Sequence, residues 1–175
     1  MGKVTETTLM YLKREDEVYL GEKQRKVVAG KLVGFGGKLE EGEIPRQAAE
    51  RETIQESTVR PTIFQKMAEI VFHNDYDGDG AEELRDQLCH VYVATEWEGE
   101  PTETPEVKNG AWYKIDRLSD DQDELSEKIP EGDKYWLPKV LGGIAVKGPV
   151  VFDKKWHVIS DPSDIKEVEA FDETD

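Results

Sequence analysis

Apolar residues in this chain fall mostly in short runs of strand length, separated by charged turns. Residues 4–12 (VTETTLMYL) are rich in β-branched and aliphatic side chains, residues 13–17 form a wholly charged turn, and residues 18–20 (VYL) return as a second strand. Residues 31–35 read as a strand leading into a glycine turn. Residues 64–73 and 88–95 read as two strands flanking an acidic loop, and residues 111–115 as a short one. A terminal hairpin is predicted from residues 150–152 and 156–159, turning at Asp153-Lys154-Lys155. Two helical patterns lie between the strands: residues 45–57, and residues 134–146, interrupted at Pro138 and ended by Gly142-Gly143. Strands dominate and no repeat is present. The pattern predicts a layered α/β (α+β) domain over residues 1–160, with the acidic residues 161–175 as a flexible tail.

Composition narrows the function. At 175 residues with 37% hydrophobic positions, one substantial core can form. Lys and Arg number 23 against 39 Asp and Glu, a net charge of −16. A surface that negative argues against duplex nucleic acid and against anionic membranes, both of which are bound through basic groups. Solubility, or a salty cytoplasm, is the simplest reading of the acidity. The single cysteine, Cys89, cannot form an intramolecular disulfide and reads as a small buried hydrophobe. No signal peptide or membrane-spanning run is read, so a cytoplasmic location is expected. Monomer and dimer stay open.

Residues 37–59 (GKLEEGEIPRQAAERETIQESTV) are the stretch built for chemistry. Gly36 and Gly37 permit positive φ and a close approach of backbone to ligand. Pro45 suits the first turn of a helix. Glu52 and Glu56 then stand four residues apart, about 40° from each other on one helical face and roughly 6 Å apart along the axis. Two carboxylates so held can share a hard divalent cation with phosphate oxygens.

On these residues the chain resembles the Nudix hydrolases. Their signature is Gly, five residues, Glu, seven residues, Arg-Glu, an aliphatic, any residue, Glu-Glu, any residue, Gly and an aliphatic. Gly37, Glu43, Arg51, Glu52, Glu56 and Val59 fall on it. Thr53 replaces the aliphatic, Gln55 the first Glu of the pair, and Thr58 the last Gly. Gln55 keeps an acceptor oxygen but loses a charge that would help hold further cations. The segments LGEKQR (20–25), GFGGK (34–38), EIVF (69–72) and KYWLP (134–138) are similar to the MutT-homologue branch, which sanitises the nucleotide pool of oxidised purine triphosphates. Residues 4–160 can be laid along that branch, with extra residues near 74–86 and a longer linker near 119–130.

The resemblance implies a Nudix fold, a mixed sheet sandwiched between helices. It also implies Mg²⁺-dependent (or Mn²⁺-dependent) hydrolysis of a nucleoside triphosphate, such as 8-oxo-dGTP, to the monophosphate and pyrophosphate. Glu52 and Glu56 would be metal ligands with the Gly36 carbonyl, and Glu106 would match a downstream ligand, with Glu98, Glu100 and Glu103 as rivals. Arg51 belongs to the catalytic box, where it reads as an ion pair with Glu43 fixing loop to helix. Substrate would be held by Gly36, Gly37, Thr8, Lys23, Lys38 and Phe72, with Asp133 of Glu131-Gly132-Asp133 reading a purine edge. Val33 stands where the branch has Asn, and Ile129 where it has Trp. Trp136 reads as core. Two alternatives stand beside this: a Nudix hydrolase of another nucleoside diphosphate-linked substrate, and a nucleotide-binding domain with weakened catalysis. Asp75, Asp77, Asp79 and Gly80 have calcium-loop spacing, but Glu82 and Asp86 break that pattern, which favours a solvated hairpin. His73 and His90, on neighbouring strands, are weak evidence for zinc.

Overall fold

The computed structural model describes residues 4–25, 28–75 and 86–172. Its framework is one mixed sheet. The strands are β1 (Thr5–Arg14), β2 (Glu17–Lys23), β3 (Leu32–Val33), β4 (Arg60–Asn74), β5 (Asp86–Glu98), β6 (Val107–Lys114), β7 (Val146–Phe152) and β8 (Lys166–Glu167). Their order is β3-β2-β1-β5-β4-β7-β8, with β6 paired to β2. β1 runs parallel to β5 and β4 parallel to β7, while the remaining pairs are antiparallel. Tyr19 pairs with Leu12 on one edge of β2 and with Trp112 on the other. β1 and β3 therefore share an edge of β2 in succession, and the chain after β3 crosses back to β1 through a Met10–Phe35 bridge. That crossing lays the glycine turn against the middle of β1.

Both faces of the sheet are covered, so β1 is apolar on both sides and reads as a continuous run, LMYL. Side chains alternate between faces along a strand. Met10 and Leu12 pack with Phe35, Tyr92 and Ala49 of the helix α1 (Pro45–Ser57). Tyr11 points the other way, into a larger cluster with Ile70, Val91, Trp136 and Leu137. That second layer is built from 3₁₀ turns at Ile115–Ser119 and Glu131–Tyr135 and two short helices, α2 (Glu124–Lys128) and α3 (Leu137–Leu141). Trp136, fully buried and edge-on to Tyr11 at 6.2 Å, anchors it as core. Truncating such a residue costs about 3–5 kcal/mol.

α1 is held differently. Its buried residues are Ala48, Ala49, Thr53, Glu56 and Ser57, small or polar groups rather than an aliphatic stripe. Small side chains let the helix sit close to the sheet, and the hydroxyls satisfy themselves within it: Thr53 donates to the Ala49 carbonyl at 2.7 Å and Ser57 to that of Thr53 at 2.6 Å. Pro45 opens the helix, and the Gln47 side chain accepts the Ile44 N–H at 3.2 Å. Thr58 closes it with φ of 68°, in the left-handed conformation that glycine adopts without strain.

Several sequence expectations need correction. Residues 31–35 supply only a two-residue strand, because Phe35 leaves β2 to bridge β1. Residues 134–146 are not one interrupted helix: Pro138 lies in the first turn of α3, and the chain past Gly143 enters β7. The terminal hairpin does form, turning at Asp153–Lys155, but its returning arm is short: Phe152 bridges Val158, with Asp153 N–H donating to the His157 carbonyl and Ile159 N–H to that of Val151. Packing does not stop at residue 160, since Ile165 is buried, β8 pairs with β7, and Phe171 lies 5.2 and 5.1 Å from the ammonium groups of Lys66 and Lys147. Isolated apolar residues in an acidic stretch carry that attachment, which averaged composition hides. No helix among the described residues is long and apolar enough to cross a membrane.

Candidate active site

The glycine turn and α1 form one hydrogen-bonded unit. Thr8 N–H donates to the Gly37 carbonyl at 2.9 Å, and a Cβ on Gly36 would collide with the Thr8 carbonyl oxygen. On Gly37 a Cβ would lie 2.5 Å from Glu52 Oε1. Neither glycine has positive φ, contrary to the sequence reading. Close approach is what requires them.

Arg51 ties the turn to the helix. Its Nε and Nη2 donate to the two oxygens of Glu43 at 2.7 and 2.8 Å, Nη2 also to the Lys38 carbonyl at 3.1 Å, and Nη1 to Glu52 Oε1 at 2.7 Å. The parallel bonds from Arg51 hold the Glu43 carboxyl below its ordinary range and raise the guanidinium in turn. Gln55, exposed, accepts from Arg51 at 3.3 Å.

Glu56 is the buried acid of the site, with a side chain 2% exposed. Its Oε2 accepts the Gly36 N–H at 3.0 Å, and its Oε1 is paired with the Lys23 ammonium. Lys23 Nζ also donates to the Gly36 carbonyl at 3.0 Å. Burial raises the Glu56 pKa, and Lys23 and the Gly36 N–H offset part of that rise. Two carboxylates and a carbonyl, all hard oxygen donors, thus surround one turn, and an ammonium already occupies two of the oxygens. This donor set fits a hard divalent cation.

Residues 4–140 match the family model of the NUDIX domain. This chain belongs to the Nudix family. Relatives include the oxidized purine nucleoside triphosphate hydrolase of Mus musculus, 30% identical over 94% of this chain and 96% of that protein. The protein of the same name from Danio rerio is 35% identical over 77% of this chain and 78% of its own. A MutT protein from Bacillus halodurans has the same fold, with a TM-score of 0.73, 24% identity and coverage of 94% and 97% of the two chains. The chain is a Nudix hydrolase with the mixed-sheet fold that its motif implied, and Nudix hydrolases generally work with divalent cations.

The remaining expected residues sit in two places. On the helix side, Thr8 is buried opposite His90 on β5, and its Oγ1 has no hydrogen-bond partner among the described residues. Lys38 is exposed and bridges to Thr7. The loop before β6 wraps the end of α1: Thr102 N–H donates to the Ser57 carbonyl and Thr104 Oγ1 to that of Glu56, each at 3.0 Å. Glu106 is anchored by its carbonyl to Gln24 N–H at 3.0 Å, with an exposed side chain. Among the described residues no three Asp, Glu, His or Cys side chains are gathered for a metal, so Glu106 does not join Glu52 and Glu56 in this conformation. Of its rivals, Glu103 accepts the Asn109 N–H at 2.8 Å, and Glu98 and Glu100 are exposed.

On the opposite face, Asp133 is 5% exposed and has its pKa pushed up to about 7 by burial alone. Among the described residues, the buried Tyr11 hydroxyl and Trp136 indole N–H have no hydrogen-bond partner. Tyr11 and Cys89 both feel the Asp133 charge, and burial raises both groups. Phe72 stacks on Phe152 at 6.3 Å, and Gly132 packs against Phe152 and Val150. Val33 and Ile129 are buried apolar groups. Sequence reasoning missed Tyr11, although alternation along β1 turns it away from Met10 and towards this acid. His73 pairs with Asp86 at 2.6 Å and His90 with Glu6 at 2.9 Å, so the histidines do not share a ligand position. Asp77, Asp79 and Gly80 of the calcium-like spacing lie outside the described residues.

Proposed function

We propose that this Nudix chain hydrolyses nucleoside triphosphates to the monophosphate and pyrophosphate, with oxidised purine nucleotides such as 8-oxo-dGTP preferred. Mg²⁺ is the proposed cation, Mn²⁺ a substitute, and the cytoplasm the proposed compartment. The observation that carries the reading is the convergence of Glu52, Glu56 and the Gly36 carbonyl on one glycine turn. The names of the mouse and zebrafish relatives support the substrate class.

A divalent cation bound there would neutralise phosphate charge and lower the pKa of the attacking water. The chain supplies the rest. The Gly36–Gly37 backbone packs against Thr8 and Glu52, which brings the Gly36 carbonyl and the two acids to one turn. Arg51 clamps Glu52 through Oε1, which leaves Oε2 to accept the proton from water during in-line attack on phosphorus. Lys23 and Lys38 neutralise further phosphate charge. Across the sheet, Asp133 is protonated below about pH 7 and can then donate a hydrogen bond to a purine acceptor. Buried polar groups awaiting partners are what give large base discrimination.

A second reading is a Nudix hydrolase of another nucleoside diphosphate-linked substrate. It is favoured by Val33, buried and apolar where the branch carries an amide. Pyrophosphate release across a nucleotide panel separates the two. Turnover of 8-oxo-dGTP well above dGTP supports the first, and turnover confined to diphosphate-linked compounds supports the second. Nucleotide-induced thermal stabilisation without any turnover would leave only the binding domain.

A further inference from the structure

The metal ligands proposed above are not waiting for a cation. Glu56 Oε1 and the Gly36 carbonyl oxygen are both bonded to the ammonium of Lys23. Glu56 cannot turn aside, because Gly36 N–H holds its other oxygen and the side chain is buried in the end of α1. Arg51, another cation of the unit, is fixed by Glu43, Glu52 and the Lys38 carbonyl, and its planar fork serves all of them at once. Lys23 differs on each count. It sits at the end of β2 on a flexible four-carbon stem, with a side chain 12% exposed, and its ammonium has the shape of a point charge. An ammonium and a divalent ion cannot occupy the same two oxygens.

We propose that Lys23 is a built-in competitor for the divalent cation: its ammonium holds Glu56 Oε1 and the Gly36 carbonyl, and yields both when the metal binds. The inference rests on the assignment of these oxygens as metal ligands. Lys23 balances the buried Glu56 charge in the metal-free protein, and once released it is one residue from Gln24, whose N–H holds the Glu106 loop. Metal loading then frees a cation at the mouth of the site, available to substrate phosphates, instead of adding to one already committed. Lys23 would thus set the metal affinity as well as contact the substrate.

The test is Mn²⁺ binding to the full chain without nucleotide, read by loss of the free-ion EPR signal. Lys23→Met is expected to bind Mn²⁺ about tenfold more tightly than the native chain, the scale of one charge-assisted hydrogen bond released from competition. Lys23→Arg, which keeps a cation on the acid, is expected to stay within about threefold. Glu56→Gln is expected to lose binding. Melting temperatures give a second readout, with a larger Mn²⁺-induced rise in Lys23→Met than in the native chain. Lys23→Gln replaces the Met variant should that fail to fold. Equal or weaker binding in Lys23→Met or Lys23→Gln, with binding still dependent on Glu56, overturns the competition and leaves the metal site standing. Binding that survives Glu56→Gln, or no binding at all, overturns both.

Discussion

Two acids lie buried on opposite faces of the same sheet, and their surroundings give them opposite chemistry. Glu56 is 2% exposed and Asp133 is 5% exposed, and burial raises both. Glu56 is paired with the Lys23 ammonium and the Gly36 N–H, which offset part of the rise that burial causes. Asp133 has no opposing charge among the described residues, and burial alone sets its pKa near neutrality. It is suited to exchanging a proton with a base edge, and unsuited to holding metal. Residue type alone does not distinguish them. What differs is the helix–turn unit around one and the apolar layer of Trp136, Leu137 and Ile129 around the other.

The largest test of that division is Glu56→Gln. The change keeps shape and removes charge, and turnover should fall by more than about a hundredfold for every nucleotide, beyond the loss typical of residues behind a metal ligand. Steady-state assays at saturating Mg²⁺ check it, and near-normal turnover would remove Glu56 from the site. Next comes Asp133→Asn. Folded Asp133 keeps its proton up to about pH 7, and an unfolded Asp loses it near 3.9. The folded state therefore binds more protons between those values. The stability this contributes is fully present below about pH 4 and is lost as pH rises through 7. Denaturant titrations at pH 5 and 7.5 should show Asp133→Asn gaining relative to the native chain at the higher pH; an unchanged difference would mean that Asp133 titrates normally.

Smaller effects sharpen the contrast on the helix side. Arg51→Met should cost about 1–3 kcal/mol by stranding Glu43 and Glu52, measured by urea unfolding. Arg51→Lys should recover little of it, because lysine cannot make the paired bonds. Thr58→Gly should stabilise by about 1 kcal/mol, or roughly 2–4 °C in melting temperature, by relieving a β-branched residue at φ of 68°. The gain is limited by loss of the Thr58–Thr102 hydroxyl contact at 2.9 Å. A lower melting temperature would show that contact to outweigh the backbone strain.

The two sides were unequally legible in the sequence. α1 and the Arg51–Glu43 pair could be read because local spacing encodes them: four residues on a helix, and a glycine turn before it. The strands emerged from apolar runs, though β3 was overestimated because nothing local shows that Phe35 abandons β2 for β1. The Lys23–Glu56 pairing spans 33 positions and depends on β2 meeting the turn, so only the assembled sheet shows it. The orphaned donors around Asp133 likewise come from β1 and from the segment before α3. The attachment of residues 161–172 rests on Ile165, Val168 and Phe171, single apolar residues in a polar stretch.

The most direct measurement is the ratio of kcat/KM for 8-oxo-dGTP to that for dGTP, in the native chain, Glu56→Gln and Asp133→Asn. If one acid serves the phosphate and the other the base, Glu56→Gln should depress both substrates together and leave the ratio where it was. Asp133→Asn should retain turnover of dGTP while the ratio falls towards one. A ratio unmoved by Asp133→Asn, or a Glu56→Gln variant that changes only base preference, would contradict the division of labour between the two faces.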